Sequence, residues 1–500
     1  MWYGIETGFS ILAALATSVL TVRTFGPEKL SYFIYLSWLT GVTGTLGTLG
    51  LAITTRKYMA EALGAGDKTL AISIFRTALR WQAVTIGLIV TGGVAVSLVW
   101  VRDDYRAIAV VLMLSAFPRV LGFIPAQANM AAENMAANVP GSMVGGLIQV
   151  GGTLAALALD WGLIGIAAAQ LVGYSVELVW KMWPLWTESS AITLAPLSPD
   201  LRRRMRIFST QGMSLVLLNL IVWDRSDVVL LKWLNADPRQ VTFFSLPINL
   251  IDRMLLVPQT FASAMGSTVM AEYGRARERV AAMTATSGVY LLALALPMLL
   301  GAAAVAAPIW AVYGSSVREA IPVFAVMCAL AVPKAVIIPA QNLLLVTENQ
   351  ARLVWWNCAC GVLKIVLDIL LIPHWGAMGA AIGSGAAQAL SGVGTWVMVW
   401  LLFRLDLRLG TVWRLAMSAA TMSGAVWAIV ELLAARPWAG FLLGVPAGAA
   451  VFVVLVRVTG ALEPDDRQRL LLVAGSLPGP VRRVYLRLLE MAIPAIPAAA

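Results

Sequence analysis

From Gly4 to Val458 the chain alternates long apolar runs with short polar breaks. The runs match the ~20 residues that carry an α-helix across the hydrocarbon core of a bilayer. Taken as spans, they predict about fourteen helices, at roughly 4–22, 30–55, 77–101, 107–131, 138–159, 162–183, 207–233, 241–270, 281–311, 320–346, 353–372, 376–403, 411–433 and 438–457. The expected fold is an all-α polytopic membrane protein. Composition agrees: 60% of residues are hydrophobic and 12% charged, with a mean hydropathy of +0.82. A water-soluble domain is about half apolar and a quarter charged. The first run has no basic stretch before it and no small-residue cleavage site after it, so it reads as a retained helix rather than a signal peptide.

The net charge of +10 is a topological signal and not a nucleic-acid one. With loops alternating sides, most of the 36 cations fall together, from Arg56 and Lys57 through Arg202–Arg206 and Arg275–Arg279 to the arginines from Arg457 onward. The opposite loops hold only Arg23, Lys29, Arg102, Arg106, Lys232, Arg239, Arg318 and Arg436. The positive-inside rule makes the richer side cytoplasmic and places both termini there. Cys328, Cys358 and Cys360 all fall in apolar runs and read as buried thiols. The single His374 adds too little for a zinc site, so no metal or cofactor is expected.

The chain reads as two copies of one unit. "FPRVLGFIPAQ", ending at Gln127, corresponds to "VPKAVIIPAQ", ending at Gln341. Pro125 to Trp161 and Pro339 to Trp375 are each 36 residues, and both tryptophans open "WGxxGxA" segments. "GPEKLSYF" ending at Phe33 faces "DPRQVTFF" ending at Phe244, and the two "MAE" triplets begin at Met59 and Met270. The order is colinear at a nearly constant offset, 211 residues early and 214 later. Six spans per copy give both copies the same orientation, a parallel repeat of the kind found in two-lobed transporters. The expected organisation is an N-lobe at 1–185, a cytoplasmic linker at 186–206 and a C-lobe at 207–404. Two extra helices follow at 405–458, then a cytoplasmic amphipathic tail at 459–500, expected to rest on anionic headgroups.

Five cations fall inside predicted spans: Arg119, Arg225, Arg253, Lys334 and Lys364. A charge at mid-bilayer costs several kcal/mol unless it faces protein or a water-filled cavity. Carboxylates accompany them, at Glu6, Asp224, Asp227, Asp252 and Asp368. Lys364–Asp368 and Glu177–Lys181 are spaced to pair along one helix face. Arg119 and Lys334 have no acid within four residues on their own helices. A shared cavity that receives an anion explains them better than tertiary salt bridges, the competing account. Pro118, Pro125, Pro333 and Pro339 are expected to kink helices four and ten. Gln127 and Gln341 would then supply neutral hydrogen bonds towards the cytoplasmic mouth.

Further motifs point to a family. "RTFGPEKLSYFIYLSWL" with "LGLAITTRKYMAE", then "WDRSDVVLLKWLNADPRQVTFFSLPINL", and the paired "WGxxGxA" starts resemble the multidrug/oligosaccharidyl-lipid/polysaccharide exporter superfamily. Within it, the chain is most similar to polysaccharide (O-antigen-type oligosaccharide) flippases of the bacterial inner membrane. The resemblance implies a cationic central cavity, alternating access and outward transfer of an isoprenoid-pyrophosphate-linked oligosaccharide for cell-surface polysaccharide synthesis. It also implies membrane lipids and the polymerase and export machinery as partners. Proton or sodium entry would be coupled through Asp224, Asp227, Asp252, Asp368 or Glu6. The alternatives are a lipid II flippase or a drug/cation antiporter of the same superfamily. From another class, a membrane glycosyltransferase or polymerase would need paired carboxylates on substantial outer loops, and no nucleophile–base constellation appears. A transporter, not an enzyme, is expected.

Overall fold

The computed structural model describes the chain except for residues 1, 49, 133, 191–196, 224–225, 236, 274–276, 348, 464–465, 468–469, 472–482, 484–485, 488, 492 and 494–500. Side chains at 2–14, 135, 187–190, 211–212, 214–222, 260, 263–273, 277–279, 345–346 and 350 are likewise outside the description. It divides into two compact units, Met1–Thr242 and Phe243–Ala500. The first contains α1 (Trp2–Thr48), α2 (Leu51–Gly64), α3 (Lys68–Trp100), α4 (Asp103–Leu121), α5 (Phe123–Ala131), α6 (Asn138–Ala158), α7 (Gly162–Ser190), α8 (Pro199–Val222) and α9 (Ser226–Leu234). Helix α10 (Arg239–Tyr273) starts at the boundary. The second unit continues with α11 (Arg277–Ala304), α12 (Ala306–Ala311), α13 (Ala320–Ala335), α14 (Ile337–Val346), α15 (Gln350–Phe403), α16 (Leu409–Leu432) and α17 (Pro437–Thr459). Among the described residues there is no strand.

Among the described residues, eleven helical stretches are long and apolar enough to cross a membrane, two of them 50 and 53 residues long. Those two are double, broken at Gly26 and Gly376. Counted as pairs, and with α8–α9 at the predicted seventh position, they reproduce the fourteen expected spans. Helices overrun the hydropathy bounds: α3 starts at Lys68 rather than 77, and α2 carries the second span on to Gly64. Hydropathy marks the stretch that lies in lipid, whereas backbone hydrogen bonding carries a helix on into water.

The breaks are where sequence decides shape. Helix four is split at Gly122 into α4 and α5, and helix ten at Val336 into α13 and α14. Each break falls between the two prolines that predict it. Within a bilayer a freed carbonyl needs a protein partner, and the Trp396 indole donates to the Val336 carbonyl at 3.1 Å. Gly392 makes that approach possible, since a Cβ there would lie 2.8 Å from the Pro333 oxygen. The twin Trp-Gly motifs share one backbone device: Gly162 (φ 64°) and Gly376 (φ 52°) are both left-handed, a conformation that favours glycine.

A break that the sequence did not announce separates α1 from α2. The buried Gln82 amide donates to the Gly47 carbonyl freed there, with Thr85 beside it at 3.3 Å. Gly50 is left-handed (φ 69°), and a Cβ on it would stand 2.5 Å from the Ser209 carbonyl of α8. Below this break Tyr58, Met59, Phe75 and Ile124 form a buried core with Leu201 and Met205.

In the second unit Asp466, just after α17, is held by several donors. Asp466 is only 2% exposed. It accepts two hydrogen bonds from the Arg408 guanidinium (3.1 and 3.0 Å), one from the Tyr290 hydroxyl (2.9 Å) and one from the Glu463 amide (3.0 Å). Burial pushes this carboxyl up, but those donors outweigh it and hold its pKa below the ordinary value. The folded value is thus lower than the unfolded one. Its contribution is whole above the unfolded pKa, about 3.9, and is lost as pH falls through the folded value.

Two predictions follow from these contacts. Gly50→Ala should cost about 1–3 kcal/mol from left-handed strain plus the clash with α8, while Gly64→Ala, with open space around it, should be neutral or slightly stabilising; thermal unfolding in detergent measures both. Asp466→Asn at neutral pH should speed amide exchange at Glu463 about five-fold or more, the loss of a roughly 1 kcal/mol hydrogen bond. Unchanged exchange would remove the clamp from the account.

Candidate functional site

Helix ends set the positions of the two repeated cations. Arg119 sits in the last turn of α4 and Lys334 in the last turn of α13, each just ahead of its break. A cation there complements the partial negative charge of a helix C-terminus, worth about 0.3–1 kcal/mol. Gly122 and Val336 are 214 residues apart, but Arg119 and Lys334 are 215 apart. One residue is a rotation of about 100° around a helix. The two cations therefore leave matched helices in different directions.

Their neighbours differ accordingly. Arg119 is exposed, with its guanidinium carbon 5.6 Å from the ring centroid of Tyr174 on α7, a cation–π contact. Lys334 donates to Asp252 of α10 at 3.3 Å. The tertiary ion pair that competed with a shared anion cavity is thus present at Lys334. Its surroundings are a cavity of about 20 Å³ that also takes in Ser384 and Gln388 from the second half of α15, room for about one water. Gly385 lets α15 close on α13, because a Cβ there would meet the Leu330 side chain at 2.6 Å.

Exposure decides what each ion pair can do. Lys334 and Asp252 keep 34% and 40% of their side-chain surface. Such a pair contributes about 0–1 kcal/mol, so the ammonium can exchange the carboxylate for a phosphate, with which charge-assisted hydrogen bonds are strong. Lys364 and Asp368 are 3.1 Å apart and 0% exposed. Gly383 admits the carboxylate, since a Cβ there would lie 2.5 Å from Asp368 Oδ1. Lys364 is therefore a packed interior charge held by Asp368.

The remaining predicted residues are scattered. Arg253 is half-buried on α10 beside Asp252, and Asp227 is buried on α9. Gln127 lies on α5 with a buried Oε1 that has no hydrogen-bond partner among the described residues; Gln341 is half-buried on α14. Asp224, Arg225 and the side chain of Glu6 lie outside the described residues. Lys181 pairs with Glu177, which also accepts from Ser142 at 3.1 Å. Among the described residues no cluster of His, Cys, Asp and Glu is arranged to hold a metal ion.

Sequence reading missed an aromatic group in the first unit, at the end that the charge pattern marks as periplasmic. Tyr32 stacks on Tyr105 with centroids 4.7 Å apart, and the Lys232 ammonium lies 3.7 Å from the Tyr32 centroid. Thr242 donates to the Pro27 carbonyl at 2.7 Å. The first turn of α10, part of the second repeat by sequence, is thereby tied to Pro27 of α1 within the first unit. No spacing in the sequence links these residues.

No protein-family model matches the chain, and no curated protein matches it in sequence. Solved structures do. The lipid II flippase MurJ, in an inward closed conformation, superposes with a TM-score of 0.69 at 13% identity, over 91% of this chain and 98% of its own. The chain has the fold of a transporter. An inward-facing MATE-family multidrug resistance transporter of the MOP superfamily gives 0.67 at 15% identity, over 79% of this chain and 94% of its own. A MOP superfamily transporter from Pyrococcus furiosus gives 0.58 at 16% identity, over 80% and 93%.

The contrast between the two ion pairs is directly measurable. Lys364→Ala strands a buried carboxylate and should cost about 3–5 kcal/mol, which Lys364→Leu combined with Asp368→Leu recovers in large part. Lys334→Ala should change stability by no more than about 1 kcal/mol. Thermal unfolding in detergent reads both; equal losses would contradict the assignment.

Proposed function

We propose that this chain is a flippase for an isoprenoid-pyrophosphate-linked oligosaccharide, carrying it from the cytoplasmic to the periplasmic leaflet by alternating access for surface-polysaccharide synthesis. The observation that carries this reading is the superposition on a lipid II flippase over 91% of the chain, against 79% and 80% for the two other transporters. The chemistry supports it as well. A pyrophosphate asks for cations that are not already spent on buried partners; Arg119 is exposed, and Lys334 keeps about a third of its side-chain surface. We assign each of them, within its own unit, a role in receiving anionic groups of the substrate.

Asp252 gives Lys334 a second role. A proton taken up by Asp252 would release the ammonium to the phosphate, and export would return it. Coupling of this kind needs no cofactor. Asp227 and Asp368 are more deeply buried candidates for the same task. A second reading, lipid II itself as substrate, is favoured by what the MurJ structure is named for. Partners under either reading are membrane lipids, the lipid-linked saccharide and the polymerase and export machinery that consume it.

Deletion of the gene followed by mass spectrometry of accumulated lipid-linked sugars tests the proposal. An isoprenoid-diphosphate oligosaccharide other than lipid II should build up on the inner leaflet. Lipid II accumulation would favour the second reading, and accumulation of neither would overturn both. Arg119→Ala and Lys334→Ala, expressed at normal levels, should fail to restore surface polysaccharide, with Lys334→Arg retaining more activity than Lys334→Ala.

A further inference from the structure

A site that the transport reading leaves unused lies on the outer face of α15, within the second unit. From Val354 to Trp375 this helix exposes an almost continuous apolar stripe, with Val362, Val366, Ile369 and Leu370 between 46% and 63% exposed. Trp355 (77% exposed) and Trp375 (56%) bound it. Their separation of 20 residues is about 30 Å of helix, the thickness of a bilayer's hydrocarbon core, and indoles belong at its two interfaces. This face meets lipid, and Arg352 lies one turn beyond Trp355, at headgroup level.

At that end the surface is hollowed. A groove of about 500 Å³ is lined by Ala351, Arg352, Trp355, Trp356, Ala359 and Met398, within the ~300–1,000 Å³ of small-molecule sites. Its floor is built by close packing. Trp356 is turned inward, its indole donating to the Ser391 carbonyl at 3.2 Å, and it occupies the space left by Gly394, where a Cβ would lie 2.2 Å from the ring. Ala351 and Ala359 keep the walls low. The result is an apolar trough with a single cation at its mouth and an exposed indole beside it.

We propose that this groove holds an anionic phospholipid of the cytoplasmic leaflet, one acyl chain lying over Trp356, Ala359 and Met398 and its phosphate at Arg352. Charge complementarity selects the occupant. A basic residue at an anionic surface is worth about 1 kcal/mol, and among the described residues that line the trough none is acidic. The inference stands apart from the transport reading, because its readout is lipid retention and not flux.

Native mass spectrometry of the full chain, titrated with phosphatidylglycerol or phosphatidylcholine of matched chains, tests it. The parent should retain phosphatidylglycerol preferentially. Arg352→Gln should weaken that retention about five-fold, the equivalent of ~1 kcal/mol, and bring the two lipids level. Ala359→Trp, which fills the trough, should reduce retention of both while Arg352→Gln keeps acyl-chain binding. Equal retention of the two lipids by the parent, or an Arg352→Gln variant indistinguishable from it, would overturn the proposal. So would displacement of phosphatidylglycerol by isoprenyl phosphate at equal concentration, which would make the groove a substrate site.

Discussion

Inside a bilayer, a carbonyl released from a helix or a charged side chain without a partner has nowhere to turn but the protein. That constraint organises this molecule. Proline and glycine break its helices at Gly122, Val336 and before Gly50, and packing around the breaks is built to absorb what they release. Trp396 takes the Val336 carbonyl and Gln82 takes that of Gly47. Glycines at 392 and 50 allow the neighbouring helix to come near enough. The same rule explains Lys364, which is tolerated at 0% exposure only because Asp368 is beside it.

The two repeated cations are the informative ones. Arg119 and Lys334 occupy the same turn of matched helices, yet a one-residue shift against the breaks turns them apart. One meets an aromatic ring and the other a carboxylate. The two matched segments thus carry their cations in different surroundings.

Much of this was legible in the sequence because it is local. Apolar run length gives the helices, proline pairs locate the breaks in helices four and ten, and the paired Trp-Gly motifs return as two left-handed glycines. What stayed hidden is tertiary. Lys334 and Asp252 are 82 residues apart, and nothing in either helix's own pattern points to the other. Tyr174 beside Arg119, Lys232 on Tyr32 and the Asp466 clamp depend on helix rotation, which periodicity leaves loose when nearly every face is apolar. The break before Gly50 was missed because no proline marks it.

The central claim, that this fold moves a pyrophosphate-linked saccharide, is tested most directly in proteoliposomes. Purified chain would be reconstituted with a fluorescent isoprenoid-diphosphate oligosaccharide, and the fraction protected from a membrane-impermeant quencher followed over time. The account predicts redistribution between leaflets by the parent, little by Arg119→Ala, and none of a matched neutral isoprenoid glycoside. Equal movement of the neutral lipid, or none of the diphosphate by a correctly folded parent, would contradict it.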